Sequence, residues 1–88
     1  MKENTKIVIL QYGWVLVGNF TRDNDKCFLE NSSVVRVWGT EKGLGEIALN
    51  GPTKSTTVDP NNGRVEFDAD SIVATLTCNG SKWVKSLK

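Results

Sequence analysis

The apolar residues of the chain fall into short runs that are separated by polar or glycine-containing breaks. Residues 64–68 and 72–78 alternate apolar and polar side chains, which indicates half-buried β-strands. Residues 5–11 form a β-branched run, which is typical of a buried strand. The pattern predicts six or seven short strands. They cover residues 5–11, 14–20, 26–30, 33–38, 64–68 and 72–78, with residues 55–58 as the seventh.

One segment changes from the strand period to the helix period. Leu44, Ile47 and Ala48 are spaced i, i+3 and i+4, so they share one face of a helix. Gly51 is suited to the left-handed position after a helix, and the proline that follows it prevents continuation. We therefore expect one short helix at about residues 41–50.

Closely spaced strands with a single short helix favour a mainly β domain, a small SH3-like or Sm-like barrel. The chain is expected to form one domain over residues 1–88, with a loose N-terminus at residues 1–4. Gly18 lies within a strand and predicts a bulge or a sharp bend, and residues 21–25 predict a hairpin loop. Residues 14–17 are apolar on both faces, so this strand is either enclosed or placed at a subunit interface.

Length and composition narrow the possible functions. A chain of 88 residues has a marginal core, and oligomerisation is one way to enlarge it, so we expect a homo-oligomer. The net charge of +1 argues against strong nucleic-acid binding. The chain has two cysteines, Cys27 and Cys78, and no histidine, which argues against a metal site. One bridge between them is possible, but free thiols in the cytoplasm are the expectation.

The same composition argues against an enzyme. Without histidine there is no Ser-His or Cys-His nucleophile pair and no imidazole base. Glu66 and Asp68 share a strand face, but that face lies opposite Val65 and Phe67, so we expect it to be solvated. No cofactor is expected. The apolar run at residues 7–10 is far too short to span a bilayer, and no membrane association is expected.

The densest set of potential ligand-binding residues lies in residues 34–52. Arg36 and Trp38 share one face of the predicted strand, and Lys42, Gly43 and Gly45 follow at the strand-to-helix junction. Cations, an indole and bare backbone N–H groups suit a phosphate-bearing, nucleotide-like ligand. These five residues are the predicted ligand-binding site.

The glycine spacing in this segment fits G-x-G-x-x-A, but the chain is too short for the βαβ units of a dinucleotide-binding domain. A purely structural interpretation is also open. In it, the glycines allow the helix to pack closely, Trp38 fills the end of the barrel, and Arg36 pairs with Glu41 or Glu46.

Two other functions stay open. One is a protein–protein interaction module that docks on a host or virion protein, which would present an exposed apolar patch. The other is single-stranded nucleic-acid binding, in which Trp83 would stack on a base beside Lys82, Lys85 and Lys88.

The segment from Arg36 to Ala48, which reads RVWGTEKGLGEIA and continues to Gly51-Pro52, resembles a family of short uncharacterised proteins from phages and bacteria. The similarity covers about residues 6–84. The family carries no assigned activity, so no site residue follows from it. By analogy at the level of fold, it implies a phage counter-defence protein, such as a sponge that sequesters a cyclic nucleotide or cyclic ADP-ribose type immune signal in the host cytoplasm.

Overall fold

A computed structural model describes residues 4–40 and 43–83 of the chain. The strands are β1 (Thr5–Leu10), β2 (Val15–Asp23), β3 (Lys26–Val37), β4 (Thr57–Pro60), β5 (Val65–Asp68) and β6 (Ile72–Thr77). The helix α1 spans Leu44–Asn50. Single 3-10 turns lie at Gln11–Gly13, Ala69–Ser71 and Gly80–Lys82.

All strand pairs are antiparallel, and the six strands form one sheet. The order is β4-β3-β2-β1-β6, and β5 pairs with the first part of β3. The prediction of a mainly β, barrel-like domain with one short helix is confirmed. The helix begins at Leu44, and the predicted positions 41 and 42 lie outside the described residues.

The two strands predicted at residues 26–30 and 33–38 form one strand, β3, of 12 residues. The predicted break between them is wrong because Asn31 takes a left-handed conformation (φ 50°) inside a β-bulge, and pairing then continues. The bulge lies opposite Gly18, as the glycine predicted. A Cβ on Gly18 would lie 2.7 Å from the Cβ of Ser32, so only glycine permits this approach.

The predicted hairpin loop at residues 21–25 is too long. Thr21, Arg22 and Asp23 continue β2 and pair with Phe28, Cys27 and Lys26. The turn consists of Asn24 and Asp25 alone, and Asn24 takes the left-handed conformation (φ 57°) that a tight hairpin requires.

Side chains pack in two clusters on the two faces of the bent sheet. We call the first the helix-side core and the second the groove-side core. The helix-side core contains Ile7, Val15, Val17, Val35, Leu44, Ile47, Ala48 and Trp83. The groove-side core contains Val8, Leu16 and Leu29, with Leu10, Phe20, Val34, Val65, Phe67 and Ile72 packed against it.

These two cores explain the apolar run at residues 14–17. Val15 and Val17 enter the helix-side core and Leu16 enters the groove-side core, so one chain covers both faces of the strand. These three residues therefore no longer support the prediction of a homo-oligomer, whereas Trp14 at the start of the run stays half exposed.

Trp83 joins the helix to the sheet. Its indole is 0% exposed, and its Nε1 donates a hydrogen bond to the Ile47 carbonyl at 2.9 Å. The helix stop is also as predicted, because Gly51 takes a positive φ of 84° and its N–H donates to the same carbonyl at 2.8 Å.

Candidate functional site

Arg36 lies at the end of β3, where the register with β4 shifts between Val35 and Val37. Its Nε lies 3.0 Å from Asp59 Oδ2, and both side chains are more than half exposed. This partner is a β4 residue that the sequence pattern had not indicated, and Glu41, one of the two predicted partners, lies outside the described residues. An exposed pair of this kind contributes about 0–1 kcal/mol, so a stronger ligand can displace the carboxylate.

Trp38 is 43% exposed, so it does not fill the end of the barrel. Its backbone is nevertheless fixed, because the Trp38 carbonyl accepts a hydrogen bond from Thr56 Oγ1 at 2.6 Å. The next carbonyl, that of Gly39, accepts one from Thr53 Oγ1 at 2.7 Å. The turn at residues 53–56 therefore holds the end of β3 in place.

Two of the remaining predicted site residues, Gly43 and Gly45, lie at the start of α1. Gly43 N–H already donates to Thr40 Oγ1 at 3.0 Å, and Lys42 lies outside the described residues. A Cβ on Gly45 would meet no atom within 4 Å, so this glycine is not required for close helix packing. Arg36 and Trp38 are exposed at the end of β3, and one of the backbone donors predicted beside them, the Gly43 N–H, already has a partner within the chain.

An apolar groove lies elsewhere, along the groove-side core, and encloses about 240 Å³. Its walls come from the end of β1, the start of β2, the second half of β3 and β5. It is lined by Leu10, Trp14, Leu16, Val34, Asn61, Val65, Glu66 and Phe67. Neither Arg36 nor Trp38 is among them. Sequence reasoning missed this groove.

Two exposed aromatic residues lie close together in the sequence, just after β1. Trp14, which lines the groove, is 56% exposed, and Tyr12, two residues earlier, is 97% exposed. Tyr12 adopts φ 69°, an uncommon conformation for a bulky residue and one that costs about 1–3 kcal/mol. The sequence signal was the tripeptide Tyr12-Gly13-Trp14, in which a glycine separates two aromatic residues.

A second hollow of about 350 Å³ is polar and lies beside Asn31 and Gly63. Its charged groups already have partners. Arg64 Nη2 lies 2.7 Å from Glu30 Oε2, and its guanidinium stacks 4.7 Å from the centre of the Phe28 ring. Because the cation is satisfied within the chain, this hollow is a poorer candidate than the apolar groove.

The thiols and carboxylates have structural explanations. Cys27 and Cys78 are free thiols, and Cys27 is fully buried. Burial raises the pKa of Cys78 to about 11, so this thiol stays protonated and weakly nucleophilic near neutral pH. Glu66 and Asp68 are exposed, as predicted, and Asp68 accepts a 2.8 Å hydrogen bond from Lys26 that raises the pKa of that lysine.

Trp83 cannot stack on a nucleic-acid base without leaving the core, because its indole is fully buried. Lys85 and Lys88, which were to form the basic surface beside it, lie outside the described residues. The single-strand hypothesis therefore lacks the exposed aromatic residue on which it was based.

Comparison with known proteins gives no relative from which a function could be carried over. No protein-family model matches the chain, and no curated protein is significantly similar to it. The resemblance to short phage and bacterial proteins thus stays a prediction. In the described part of the chain, no helix is both long and apolar enough to cross a membrane.

Proposed function

We propose that the protein is a non-enzymatic interaction module whose apolar groove binds an extended segment of a protein partner. The observation that carries the proposal is the groove itself, which is lined mainly by apolar side chains and includes the half-exposed Trp14. Exposed apolar surface of this kind is costly in water unless a partner covers it, and aromatic residues provide much of the binding energy at interfaces.

The lining indicates the chemistry of the segment. Six of the eight lining residues, all except Asn61 and Glu66, are apolar, which suits apolar anchors. Glu66 is the charged residue of the lining, and no described residue forms an ion pair with it. A segment with a basic side chain next to its apolar anchors would therefore complement the groove.

Tyr12 supports the same proposal. Tyr12 combines a strained backbone with a ring that is almost completely exposed, and it directly precedes Gly13 and Trp14 in the sequence. Strain of this kind is commonly retained where it has a role in binding. A peptide in the groove that reached this ring would bury an aromatic surface that the chain itself leaves uncovered.

The groove can be tested with a random-peptide display library and titration of the selected peptides. We expect selected peptides to combine apolar or aromatic residues with lysine or arginine. Trp14→Ala should weaken their binding by about 30-fold, which corresponds to the roughly 2 kcal/mol of an interface hot spot. Trp38→Ala is the matched control, since it removes an indole of similar exposure away from the groove, and binding should be unchanged.

Three results would contradict the groove as the binding site. The first is a library from which no peptide is enriched. The second is binding that survives Trp14→Ala. The third is binding that is lost with Trp38→Ala instead, which would move the site to the end of β3.

A second candidate is the nucleotide sponge, a phage anti-defence protein that sequesters a cyclic nucleotide or cyclic ADP-ribose type signal. The observation in its favour is that the Arg36 guanidinium and the Trp38 indole are both accessible to solvent at the same strand end. The competing carboxylate of Asp59 weakens the case, and the Gly43 N–H already donates to Thr40 Oγ1.

This candidate is tested by the melting temperature with a panel of cyclic dinucleotides, cyclic trinucleotides and cyclic ADP-ribose isomers. If Arg36 holds phosphate, Asp59→Ala frees the guanidinium and should tighten binding by up to about fivefold, because exposed ion pairs contribute at most about 1 kcal/mol. Arg36→Ala should abolish the shift without changing the fold. A panel that leaves the melting temperature unchanged would remove the sponge hypothesis.

For both candidates we propose a homo-oligomer that works in the cytoplasm, in the host cell if the protein is phage-encoded. The two free thiols suit a reducing compartment.

A further inference from the structure

The two outer edges of the sheet are built differently. β4 is only four residues long and contains Asp59 and Pro60. Charge, proline and short length are the features by which proteins prevent edge strands from pairing with other chains. β6, at the other end of the strand order, has six residues and none of these features.

The composition of β6 is suited to pairing. Its sequence IVATLT contains no charged residue, no glycine and no proline, and five of its six residues are β-branched or leucine. Val73 is well exposed, and Ala74, Thr75 and Thr77 are exposed with it. The exposed surface of this strand is therefore apolar or hydroxyl-bearing along its length.

The backbone groups on the outer side of β6 are free among the described residues. Cys78 N–H donates to the Thr5 carbonyl of β1, and hydrogen-bonding groups alternate along a strand. The N–H and C=O groups of Leu76 therefore point towards β1, and those of Thr75 and Thr77 point away from it. No described residue forms a hydrogen bond with these outward groups.

We infer that β6 pairs with β6 of a second copy of this chain, antiparallel and about a two-fold axis at Thr75, so that the two sheets become one. This inference does not rest on the proposed function of the groove. It offers a surface other than the one the sequence had suggested for an oligomer, because Val15, Leu16 and Val17 are buried within one chain.

The arrangement is complementary to itself. With the axis at Thr75, this residue faces its own copy, Val73 faces Thr77, and Ala74 faces Leu76. No charge meets a like charge, which is the usual obstacle to pairing a strand with itself. In this register the outward N–H and C=O groups of Thr75 bond to the same groups of Thr75 in the second copy. The outward groups of Val73 bond to those of Thr77 in the second copy, which extends the hydrogen-bond ladder.

Other copies are a better match than an unrelated chain because the edge has no charge that would select a different partner. A six-residue edge buries less area than a stable interface of standard size, so the dimer should be weak and concentration-dependent. Sedimentation equilibrium from about 10 to about 500 µM should show the average mass rising from monomer towards dimer.

Two substitutions test the edge directly. Thr75→Lys places two ammonium groups opposite each other across the axis of the dimer. Thr75→Pro removes a backbone N–H that has no partner within the chain, and proline is tolerated at such positions of edge strands. Each should leave the protein folded and monomeric over the whole range. Thr57→Lys is the matched control, because it adds the same charge at an exposed position on the opposite edge strand, and it should dimerise like the wild type.

Amide hydrogen exchange gives a second readout that does not depend on substitutions. Protection of the Thr75 N–H should rise with protein concentration, while protection of the Leu76 N–H, which points towards β1, should not change. The inference is overturned by a wild-type protein that stays monomeric. It is equally overturned by Thr75 variants that dimerise normally, or by Thr75 protection that is independent of concentration.

Discussion

Replacing Trp83 with alanine is expected to lower the free energy of unfolding by about 3–5 kcal/mol, the range found when a large aromatic residue is removed from a core. Trp83 heads the fully buried side chains by volume, and it packs with both the sheet and α1. Domains of this size have only a few kcal/mol of stability to lose, so the variant should be largely unfolded. Urea denaturation followed by circular dichroism would show a lost or strongly shifted transition.

Trp83→Phe separates packing from hydrogen bonding. Phenylalanine keeps most of the buried ring but cannot donate to the Ile47 carbonyl, which still accepts a hydrogen bond from Gly51 N–H. We expect a loss of about 1–2 kcal/mol, with a cooperative transition preserved. If the free energy of unfolding of Trp83→Ala lies within about 1 kcal/mol of the wild-type value, the indole does not occupy the core as described.

Gly39→Ala is expected to destabilise the protein by about 2–5 kcal/mol, from left-handed strain of about 1–2 kcal/mol and overpacking of about 1–3 kcal/mol. Gly39 has φ 66°, and an added Cβ would lie 2.3 Å from the carbonyl carbon of Ser55. Since the contact is with backbone, no side chain can move aside. Either the end of β3 or the turn at residues 53–56 must shift, and thermal unfolding would measure the cost.

Gly45→Ala is the matched control in the same segment. Gly45 lies in α1, and an added Cβ meets no atom within 4 Å, so alanine should stabilise the helix by about 0.5–1 kcal/mol. A similar loss of stability in both variants would contradict this description, because of these two glycines only Gly39 lies against the backbone of another segment.

The class of fold could be predicted because its signals are local. The alternation of apolar and polar residues predicted β5 and β6. The spacing of Leu44, Ile47 and Ala48 predicted the helix, and Gly18 within a strand predicted the bulge. The errors came from long-range pairing. Nothing local indicates that Asn31 continues a strand, because asparagine is also a turn residue, and its bulge is fixed by the β2 strand opposite it.

The predicted ligand site depended on which residues face each other, and the sequence could not provide that. Arg36 forms an ion pair with Asp59, 23 residues later in the chain, because β4 returns beside β3. The groove was missed for the same reason. Leu10, Val34 and Phe67 are far apart in the sequence, and each is an ordinary core residue until the sheet bends to bring them together.

β2 has a consequence for how the molecule melts. Leu16 packs in the groove-side core, and its neighbours Val15 and Val17 pack in the helix-side core. Because unfolding of either core would displace β2, it would also disrupt the other core. Small proteins with separate hydrophobic clusters can open one part at a time. Here β2, like β1 and β3, contributes side chains to both clusters. The two clusters therefore form one cooperative unit, and a ligand that stabilises the groove also stabilises the helix on the opposite face.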